Sequence, residues 1–373
     1  MSEGTDGVTF QIMNAEADAR RIAGEFDLAS AIAAVRIHGS GLINDTYLVE
    51  TADGQRLILQ RLNTRVFPHP EQILANLRML LDHARTPGAE GLRLPALYRA
   101  RDGRDYVIDA DGGFWRALEY IDNTETRERL ADTTEAANVG AALARFHVLL
   151  ANLPVARLHE TLPGFHVTPG YLARFDAALA AAPGIASAEL RAALAFVEAR
   201  RAFVPVLEDA RAAGKLRLRP IHGDPKLNNF LFEAGSARVV GLIDLDTVQP
   251  GLVHYDIGDC LRSCCNTAGE TPADLAEVRF DLELAGAILH GYLTGAARLL
   301  TAADLFYLFD AIRLIPFELG LRFLTDHIEG DRYFKVAKRG DNLYRARVQF
   351  ALTASVEANE HVLRNLMASL TDS

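Results

Sequence analysis

The dominant periodicity of the apolar residues changes near residue 122, and this change limits the fold more than any other sequence feature. Before it, short β-branched segments alternate apolar and polar residues, which predicts strands. From residue 135 onward the apolar residues follow a helical period. We therefore predict an α+β protein with a small, β-rich N-terminal lobe at residues 1–122 and a larger, mainly helical lobe at 123–373. A chain of 373 residues is long enough for two such lobes.

Local signals within the small lobe predict its elements. An Ala-rich helix is expected over residues 15–35, followed by two strands joined at Ala52-Asp53-Gly54, because a D-G pair between alternating segments is typical of hairpins. The segment HPEQILANLRMLLDHAR repeats Leu and Ile at intervals of three and four, as an amphipathic helix does. Further strands are predicted in LPALYRA, DYVIDA and FWRALEYI.

Composition and charge exclude several classes of protein. The 39 Lys and Arg residues against 49 Asp and Glu residues give a net charge of −10, so we expect no nucleic-acid partner. The N-terminal segment lacks the apolar core of a signal peptide, and the uncharged stretch at 284–297 is too short to span a membrane. We therefore expect a cytoplasmic protein without membrane association, a monomer or weak homodimer that binds a small molecule.

The three cysteines lie within six positions of one another. Cys260, Cys264 and Cys265 are odd in number and clustered, which does not fit a disulfide framework. Cys260 and Cys264 are four residues apart and could ligate a metal from one helix face. Because no matching His or Cys pair lies nearby, we predict instead that they are small buried apolar residues.

A polar segment with short β-rich pieces, IHGDPKLNNFLFEAGSARVVGLIDLDTVQPG, interrupts the helical part of the chain. It contains His222, Asp224 and Asn229 as H-x-D-x-x-x-x-N, and Asp244 follows an apolar strand. Each residue alone would be read as a turn former or helix cap. Together they supply a base and two Mg²⁺ ligands for phosphoryl transfer, in the order found in protein kinases. We predict Asp224 as the base, Asn229 and Asp244 as the ligands, and His222 as a bridge to the loop backbone.

On these motifs the chain resembles the aminoglycoside phosphotransferase/choline kinase superfamily, and within it the bacterial N-acetylhexosamine 1-kinases. The matching segments run from about Gly39 to Phe334 and are GLINDTYLV, LILQRLNTRVFPHPEQILANL, HGDPKLNNFLF, LIDLDTVQPGLVHYDIGDCLR and GLRFLTDHIEGDRYF. The resemblance implies a bilobal protein-kinase-like fold that holds ATP and Mg²⁺ between its lobes. It also implies that Asp256, in HYDIGD, organises the catalytic loop.

The resemblance places the sugar against the segment RFLTDHIEGDRYF, where Arg322 and Tyr333 would contact it beside the base, Asp224. Arg322 lies in an otherwise apolar helical stretch, and a buried arginine without a partner is costly. It should therefore either face the substrate or pair with Glu318, four residues earlier on the same helix. The sequence leaves both interpretations open.

The sequence departs from the protein-kinase pattern where the nucleotide is expected. The loop at residues 38–44 is not G-x-G-x-x-G, and the third strand, LILQRLN, carries no lysine. It offers Gln60 or Arg61, and side-chain alternation lets only one of them face the nucleotide. The adenine is expected against the backbone of Glu119-Tyr120-Ile121. The predicted nucleotide-binding residues are Ser40, Asn44, Gln60, Arg61, Glu119 and Ile121.

The mixed charges of LGLRFLTDHIEGDRYFK and the single Trp of the chain, Trp115, favour a neutral polyol over a quaternary amine, which needs an aromatic cage. We therefore predict an ATP-dependent kinase of the C1 hydroxyl of N-acetylglucosamine or N-acetylgalactosamine. Alternatives are a kinase of choline, ethanolamine, homoserine or an aminoglycoside, and an inactive nucleotide-binding kinase fold. A metal hydrolase built on the H-x-D pair and Asp244 would lack a His-rich ligand set.

Overall fold

The computed structural model describes residues 15–39, 43–85, 91–182, 184 and 187–371. The contacts divide the chain into two compact units, one of residues 1–82 and 94–123 and the other of residues 83–93 and 124–373. The first unit is rich in strands and the second in helices, in agreement with the α+β pattern of the sequence.

The first unit is built on a five-stranded antiparallel sheet in the order β1-β2-β3-β5-β4. The predicted hairpin is confirmed, since β2 and β3 pair on either side of a turn in which Gly54 has a φ of +86°. The elements of this unit are α1, which includes residues 15–23, β1 (Ile32–Ile37), β2 (Asp45–Thr51), β3 (Arg56–Leu62), α2 (Pro70–Ala84), β4 (Val107–Ile108) and β5 (Phe114–Glu119).

The helix predicted over residues 15–35 is wrong beyond residue 23. Phe26 forms an isolated bridge to Ala100, and Ile32–Ile37 pairs with β2 as the edge strand of the sheet. Strand pairing therefore overrides the helix propensity of this Ala-rich stretch. The strand predicted in LPALYRA is not a continuous strand. This segment forms isolated bridges, from Leu97 to Leu118 and from Ala100 to Phe26.

The apolar core of the first unit lies between α1 and one face of the sheet. Ile22 and Phe26 pack there with Leu57, Leu59 and Trp115, all nearly inaccessible to solvent. Burying each such side chain contributes about 1.5–3 kcal/mol. Successive side chains of β3 point to opposite faces of the sheet. The odd-numbered Leu57 and Leu59 face this core, and the even-numbered residues of β3 lie on the other face.

In its described residues the second unit contains ten α-helices and two small sheets, joined by 3-10 turns and irregular segments. A three-stranded sheet has the order β6-β8-β9, and β7 pairs with β10. Its described elements are β6 (Thr124–Glu125), α3 (Thr133–Leu149), α4 (Thr168–Ala181), α5 (Ala188–Glu198), α6 (Val206–Ala212), β7 (Arg219–Ile221), β8 (Phe230–Glu233), β9 (Val239–Leu242), β10 (Gln249–Gly251), α7 (Val253–Cys264), α8 (Leu282–Ala296), α9 (Ala302–Phe306), α10 (Leu308–Ile328), α11 (Asp341–Ala358) and α12 (Glu360–Thr371).

Helices α3 and α8 approach closely because glycines lie at their interface. A Cβ atom on Gly140 would lie 2.0 Å from the carbonyl oxygen of Ile288, and one on Gly291 would lie 2.1 Å from that of Ala137. Both distances are far below van der Waals contact, so only glycine permits this packing. None of the helices in the described ranges is long and apolar enough to cross a membrane.

The cysteines of α7 and its C-terminal end are free and buried, which confirms their prediction as buried residues. Burial raises the pKa of the Cys265 thiol well above its usual value, and Cys260 shifts the same way beside Cys264. These thiols therefore remain protonated and act as small core residues.

Candidate active site

The predicted base and one predicted metal ligand lie on the loop between β7 and β8. The amide nitrogen of Asn229 donates to the backbone carbonyl of Asp224 over 2.7 Å and lies 3.4 Å from its Oδ2 atom. Asn229 is buried, whereas Asp224 is 28% exposed, so the carboxylate is open to a ligand. Because the Asn229 nitrogen is engaged with the loop, its carboxamide oxygen is the atom left to act as a ligand.

His222 ties this loop to the segment that carries Asp244. Its Nε2 atom donates to the carbonyl oxygen of Ile243 over 3.0 Å, and its Nδ1 atom accepts from the backbone N–H of Asp224 at 3.3 Å. These contacts assign the neutral tautomer with the proton on Nε2. His222 therefore links the backbone just before Asp244 to the backbone of Asp224.

Asp256 holds the start of the same loop. Its carboxylate accepts the backbone N–H groups of His222 at 2.7 Å and Gly223 at 2.8 Å, and it contacts His147 Nε2 at 2.8 Å. Burial raises the pKa of the Asp256 carboxyl, but the hydrogen bond from His147 and the neighbouring charges lower this pKa by more. The net shift is therefore downward. Gly223 has a φ of +87°, and a Cβ atom there would lie 2.6 Å from the carbonyl oxygen of Thr247.

Asp244 adopts a left-handed backbone conformation, with a φ of +62°, at the start of a short 3-10 turn. Its side chain is accessible to solvent. The surrounding protein and the nearby carboxylates of Asp246 and Asp224 raise its pKa, while Lys226 opposes that shift. A solvent-accessible carboxylate next to other carboxylates is a site where a cation would relieve repulsion.

The donor set fits Mg²⁺. Asp244 and Asn229 offer one carboxylate and one carboxamide oxygen, and Mg²⁺ uses few such protein ligands because it keeps several waters. No group of three or more His, Cys, Asp or Glu side chains poised around a metal occurs among the described residues.

Lys226 belongs to this site and is absent from the sequence-based prediction. Its Nζ atom lies 2.7 Å from Oδ2 of Asp224. Burial lowers the pKa of Lys226, but the Asp224 and Asp244 carboxylates raise it by more, so the amine stays charged. Burial likewise raises the pKa of Asp224, and Lys226 more than offsets this effect. The signal was present in the sequence as a lysine two residues after the predicted base.

A pocket of about 190 Å³ in the second unit contains both predicted sugar-binding residues. The carboxylate of Asp326 organises one wall by accepting the backbone N–H groups of residues 332, 333 and 334 at 2.8–3.0 Å. This arrangement holds Tyr333, which is 40% exposed, at the pocket. The pocket is lined by Leu162, Pro163, Tyr171, Arg174, Arg322, Thr325, Asp326, Tyr333 and Phe334.

Arg322 contacts aromatic rings and does not pair with Glu318. Its Cζ atom lies 5.2 Å from the ring centre of Phe165, 5.1 Å from that of Tyr171 and 5.6 Å from that of Phe334. Glu318 instead bonds His166 at 3.0 Å and Thr168 at 2.7 Å. Of the two interpretations open from the sequence, the ion pair with Glu318 is therefore wrong.

Arg322 also lies within electrostatic range of the predicted base. Burial lowers the pKa of its guanidinium, but Tyr171 and the Glu318 and Asp224 carboxylates raise it by more. Burial raises the pKa of Tyr171 to about 12, so this hydroxyl keeps its proton at neutral pH. The pocket thus presents a fixed positive charge and neutral rings near Asp224.

In the first unit, Gln60 and Arg61 lie on opposite faces of β3. Arg61 stacks over Trp115 at 5.8 Å and lies 3.7 Å from Asp109, on the face that packs against α1. Gln60 lies on the other face, where its Oε1 atom accepts from Nε and Nη2 of Arg116 at 3.0 and 2.7 Å. Arg116 is buried on β5 and was not predicted, because only the pairing of β3 with β5 brings it beside Gln60.

The other predicted nucleotide-binding residues take the following places. Asn44 precedes β2 and accepts the backbone N–H of Asn63 at 3.0 Å, and Glu119 ends β5 and bonds Ala96 through its backbone and side chain. Ile121 is buried two residues later, and Ser40 lies outside the described residues. A larger pocket of about 440 Å³ in this unit has none of these residues in its described lining, which includes Arg21, Glu25 and Arg104.

Comparison with known proteins finds one family model, APH, a phosphotransferase enzyme family, that matches residues 34–299. An aminoglycoside phosphotransferase from Alicyclobacillus acidocaldarius superposes with a TM-score of 0.59 at 18% identity, covering 94% of this chain and 96% of that chain. A microcompartment-associated aminopropanol kinase gives a TM-score of 0.63 at 20% identity, covering 93% and 98%. An amicoumacin kinase in complex with AMP-PNP, Ca²⁺ and Ami gives 0.55 at 16% identity, covering 100% and 96%.

These similarities extend over nearly the whole of each chain. They confirm the predicted α+β, protein-kinase-like fold, with a β-rich N-terminal part and a mainly helical C-terminal part. At these identities the solved structures establish the fold alone.

Proposed function

Since the chain belongs to the phosphotransferase enzyme family, we propose that it is an ATP-dependent kinase that phosphorylates the C1 hydroxyl of an N-acetylhexosamine. Membership makes the protein a phosphotransferase that acts on a hydroxyl group of a small molecule. The amicoumacin kinase with bound AMP-PNP and Ca²⁺ supports a nucleotide as the phosphoryl donor. ATP, Mg²⁺ and the identity of the acceptor are our proposals.

The environment of Arg322 is the observation that supports a neutral sugar as the acceptor. The guanidinium is ringed by Phe165, Tyr171 and Phe334 and forms no ion pair with a carboxylate within the described ranges. A fixed positive charge beside the acceptor opposes an ammonium group there, since like charges repel strongly in a partly buried site. The N–H groups of the guanidinium can donate to the hydroxyl and acetamido oxygens of a neutral sugar, and the aromatic rings can cover the apolar faces of that sugar.

The aminopropanol kinase acts on an amino alcohol, which makes such acceptors the main alternative. An acceptor with an ammonium group would be expected to meet a carboxylate in this pocket. Asp326 lines the pocket, but backbone N–H groups and the amide of Asn342 already surround its carboxylate. The carboxylate is therefore occupied with loop structure, and Arg322 determines the charge preference.

Asp224 is proposed to accept the proton of the attacking hydroxyl. Its lowered pKa keeps it ionised at neutral pH. The C1 oxygen forms a bond to the γ-phosphorus, the bond from that phosphorus to the β–γ bridging oxygen breaks, and the hydroxyl proton passes to the carboxylate. An anomeric hydroxyl is more acidic than an ordinary alcohol, so this base needs no raised pKa. Most of the acceleration then comes from positioning and electrostatic stabilisation.

Asn229 and Asp244 are proposed to hold Mg²⁺, which when bound neutralises charge on the transferring phosphate. On the first unit, Arg116 is proposed to supply the positive charge that a lysine of the third strand supplies in protein kinases. Gln60 orients it by accepting two of its N–H groups. Arg116 is buried and held by Gln60, so its fixed charge would act on the phosphates electrostatically.

A phosphate-transfer screen tests the proposal. The protein is incubated with γ-labelled ATP and Mg²⁺ together with N-acetylhexosamines, plain hexoses, or amines such as choline, ethanolamine and aminopropanol, and a reaction without acceptor gives the hydrolysis background. We expect the highest kcat/KM with an N-acetylhexosamine. A higher kcat/KM with any of the amines would refute the assignment of the acceptor, and no transfer to any acceptor would refute the kinase.

A further inference from the structure

His166 precedes α4 and is buried, with 4% of its surface exposed, in a left-handed backbone conformation with a φ of +62°. Its ring lies 5.3 Å from that of Tyr255 on α7. A non-glycine residue held in this conformation costs free energy, and such residues concentrate at functional positions. No predicted role covers His166, although it lies next to Phe165, a ring beneath Arg322.

Both ring nitrogens of His166 face oxygen atoms. Nε2 lies 2.8 Å from the carbonyl oxygen of Gly223, and Nδ1 lies 3.0 Å from Oε1 of Glu318. A carbonyl oxygen can only accept, so Nε2 carries a proton. Glu318 also accepts the hydroxyl of Thr168 at 2.7 Å on its other oxygen. An ionised Glu318 therefore requires a second proton on Nδ1, which makes His166 an imidazolium.

The two partners of His166 belong to the two halves of the candidate site. Gly223 immediately precedes Asp224, and Glu318 lies one helical turn before Arg322 on α10. The imidazolium thus joins the loop that carries the proposed base to the helix that carries the proposed acceptor contact. We infer that His166 is a positioning residue, permanently protonated, which fixes Asp224 relative to the acceptor pocket through Gly223 and Glu318; this inference rests on the proposed function.

The electrostatic surroundings support the charged form. Burial lowers the pKa of His166, but Glu318 and then Asp259 of α7 raise it by more, so the net shift is upward. Tyr255, the other titratable group against the ring, has a pKa raised by burial and by Glu208 and stays neutral. A buried ion pair costs desolvation, and removing either partner leaves the other charge uncompensated in the protein interior.

The protonation state is measured first, on the full-length wild-type protein with ¹⁵N-labelled histidine and no ligand. Long-range ¹H–¹⁵N correlation at neutral pH distinguishes an imidazolium, with two protonated nitrogens, from either neutral tautomer. The signal is assigned by its absence from His166→Gln. We expect both nitrogens to be protonated. A bare Nδ1, with Glu318 holding the proton, would overturn the inference whatever the enzyme phosphorylates.

Two variants then separate positioning from stability. In His166→Gln the side-chain amide reaches as far as Nε2 and can still donate to Gly223, whereas in His166→Asn it reaches only as far as Nδ1 and Glu318. Asn tolerates a positive φ better than Gln, so we expect His166→Asn to have the higher Tm. We expect the reverse order for activity. His166→Gln should keep kcat within about threefold, and His166→Asn should lose about 10- to 100-fold, the loss that a misplaced reacting group produces.

His254 provides the matched control, because it is also buried and its Nε2 atom lies 2.9 Å from the backbone carbonyl oxygen of Asp304. It is not among the residues that line the acceptor pocket. His254→Gln should lower Tm and leave kcat unchanged. In all variants KM for ATP should stay at the wild-type value. If kcat follows Tm, with His166→Asn the more active, His166 is structural only and the inference fails. If no acceptor is phosphorylated at all, the proposed function fails, and the NMR measurement still decides the charge of His166.

Discussion

The Nζ atom of Lys226 donates a hydrogen bond of 2.7 Å to Oδ2 of Asp224, so the proposed base carries its own counter-ion on the same loop. A paired carboxylate stays ionised to lower pH than a free one. The side chains of Lys226 and Asp224 are each about one-third exposed to solvent. This arrangement makes the pH dependence of the reaction a direct readout of Lys226.

We predict that Lys226→Met moves the acid limb of the kcat–pH profile to higher pH. The pKa of Asp224 is lowered in the folded protein, so the ionised base is present above that pKa and lost as pH falls through it. Removing the ammonium raises this pKa, and the loss of activity then begins at higher pH. Lys226→Arg keeps the charge and serves as the control. An acid limb that stays in place in Lys226→Met would show that Lys226 does not set the ionisation of the base.

Asp244→Asn is expected to abolish the stabilisation of the protein by Mg-ATP. A ligand that binds only the native state raises Tm as its concentration increases. At one hundred times Kd it adds about 2.7 kcal/mol to the free energy of unfolding. We predict a clear Mg²⁺-dependent rise in Tm with ATP for the wild type and little or none for the variant. Asp209→Asn, which changes an exposed acid on α6, should behave like the wild type. Equal stabilisation of Asp244→Asn would remove Asp244 from the metal site.

Arg116→Met should weaken nucleotide binding, whereas Arg61→Met should leave it nearly unchanged. Arg116 lies on the face of the sheet that carries Gln60, and Arg61 lies on the face that packs against α1. We predict that KM for ATP rises about tenfold or more in Arg116→Met, which corresponds to about 1.4 kcal/mol. Arg61→Met should leave it within about twofold. Steady-state kinetics measure both values, and a larger effect in Arg61→Met would reverse our assignment of the faces.

Arg322→Met should weaken binding of the acceptor and spare that of the nucleotide. The guanidinium is the only side-chain cation in the pocket lining, as far as it is described, that lacks an ion pair. We predict that KM for the sugar rises about 10- to 100-fold, the loss of a hydrogen bond or two to a charged group. Arg313→Met on the same helix removes a guanidinium that stacks on Phe203 and bonds Asp310. It should lower Tm without changing KM for the sugar.

The part of the site that is local in sequence was predictable. His222, Asp224 and Asn229 lie within one loop, and their spacing alone indicates which side chains converge. Lys226 could have been added to the predicted site, because a lysine two residues from a proposed base is close enough along the chain to contact it. The hairpin turn at Gly54 was predictable for the same reason, since its geometry depends on four consecutive residues.

The parts that depend on long-range pairing were not predictable. Arg116 meets Gln60 only because β3 and β5 pair in one register, which the alternation of a single strand does not specify. Glu318 bonds His166 and Thr168, some 150 positions away, and thereby leaves Arg322 to the aromatic rings. The helix predicted through residue 35 failed because β2 recruits Ile32–Ile37 as a partner strand. In this last case tertiary pairing overrode local helix propensity.

The position of the phosphate on the product tests the central claim most directly. The product formed from an N-acetylhexosamine by the wild type is examined by phosphorus–proton correlation NMR, with Asp224→Asn as the matched reaction. We predict coupling of the phosphorus to the C1 proton for the wild type and no product above background for Asp224→Asn. Coupling to any other sugar proton, or a kcat of Asp224→Asn near that of the wild type, would contradict the account.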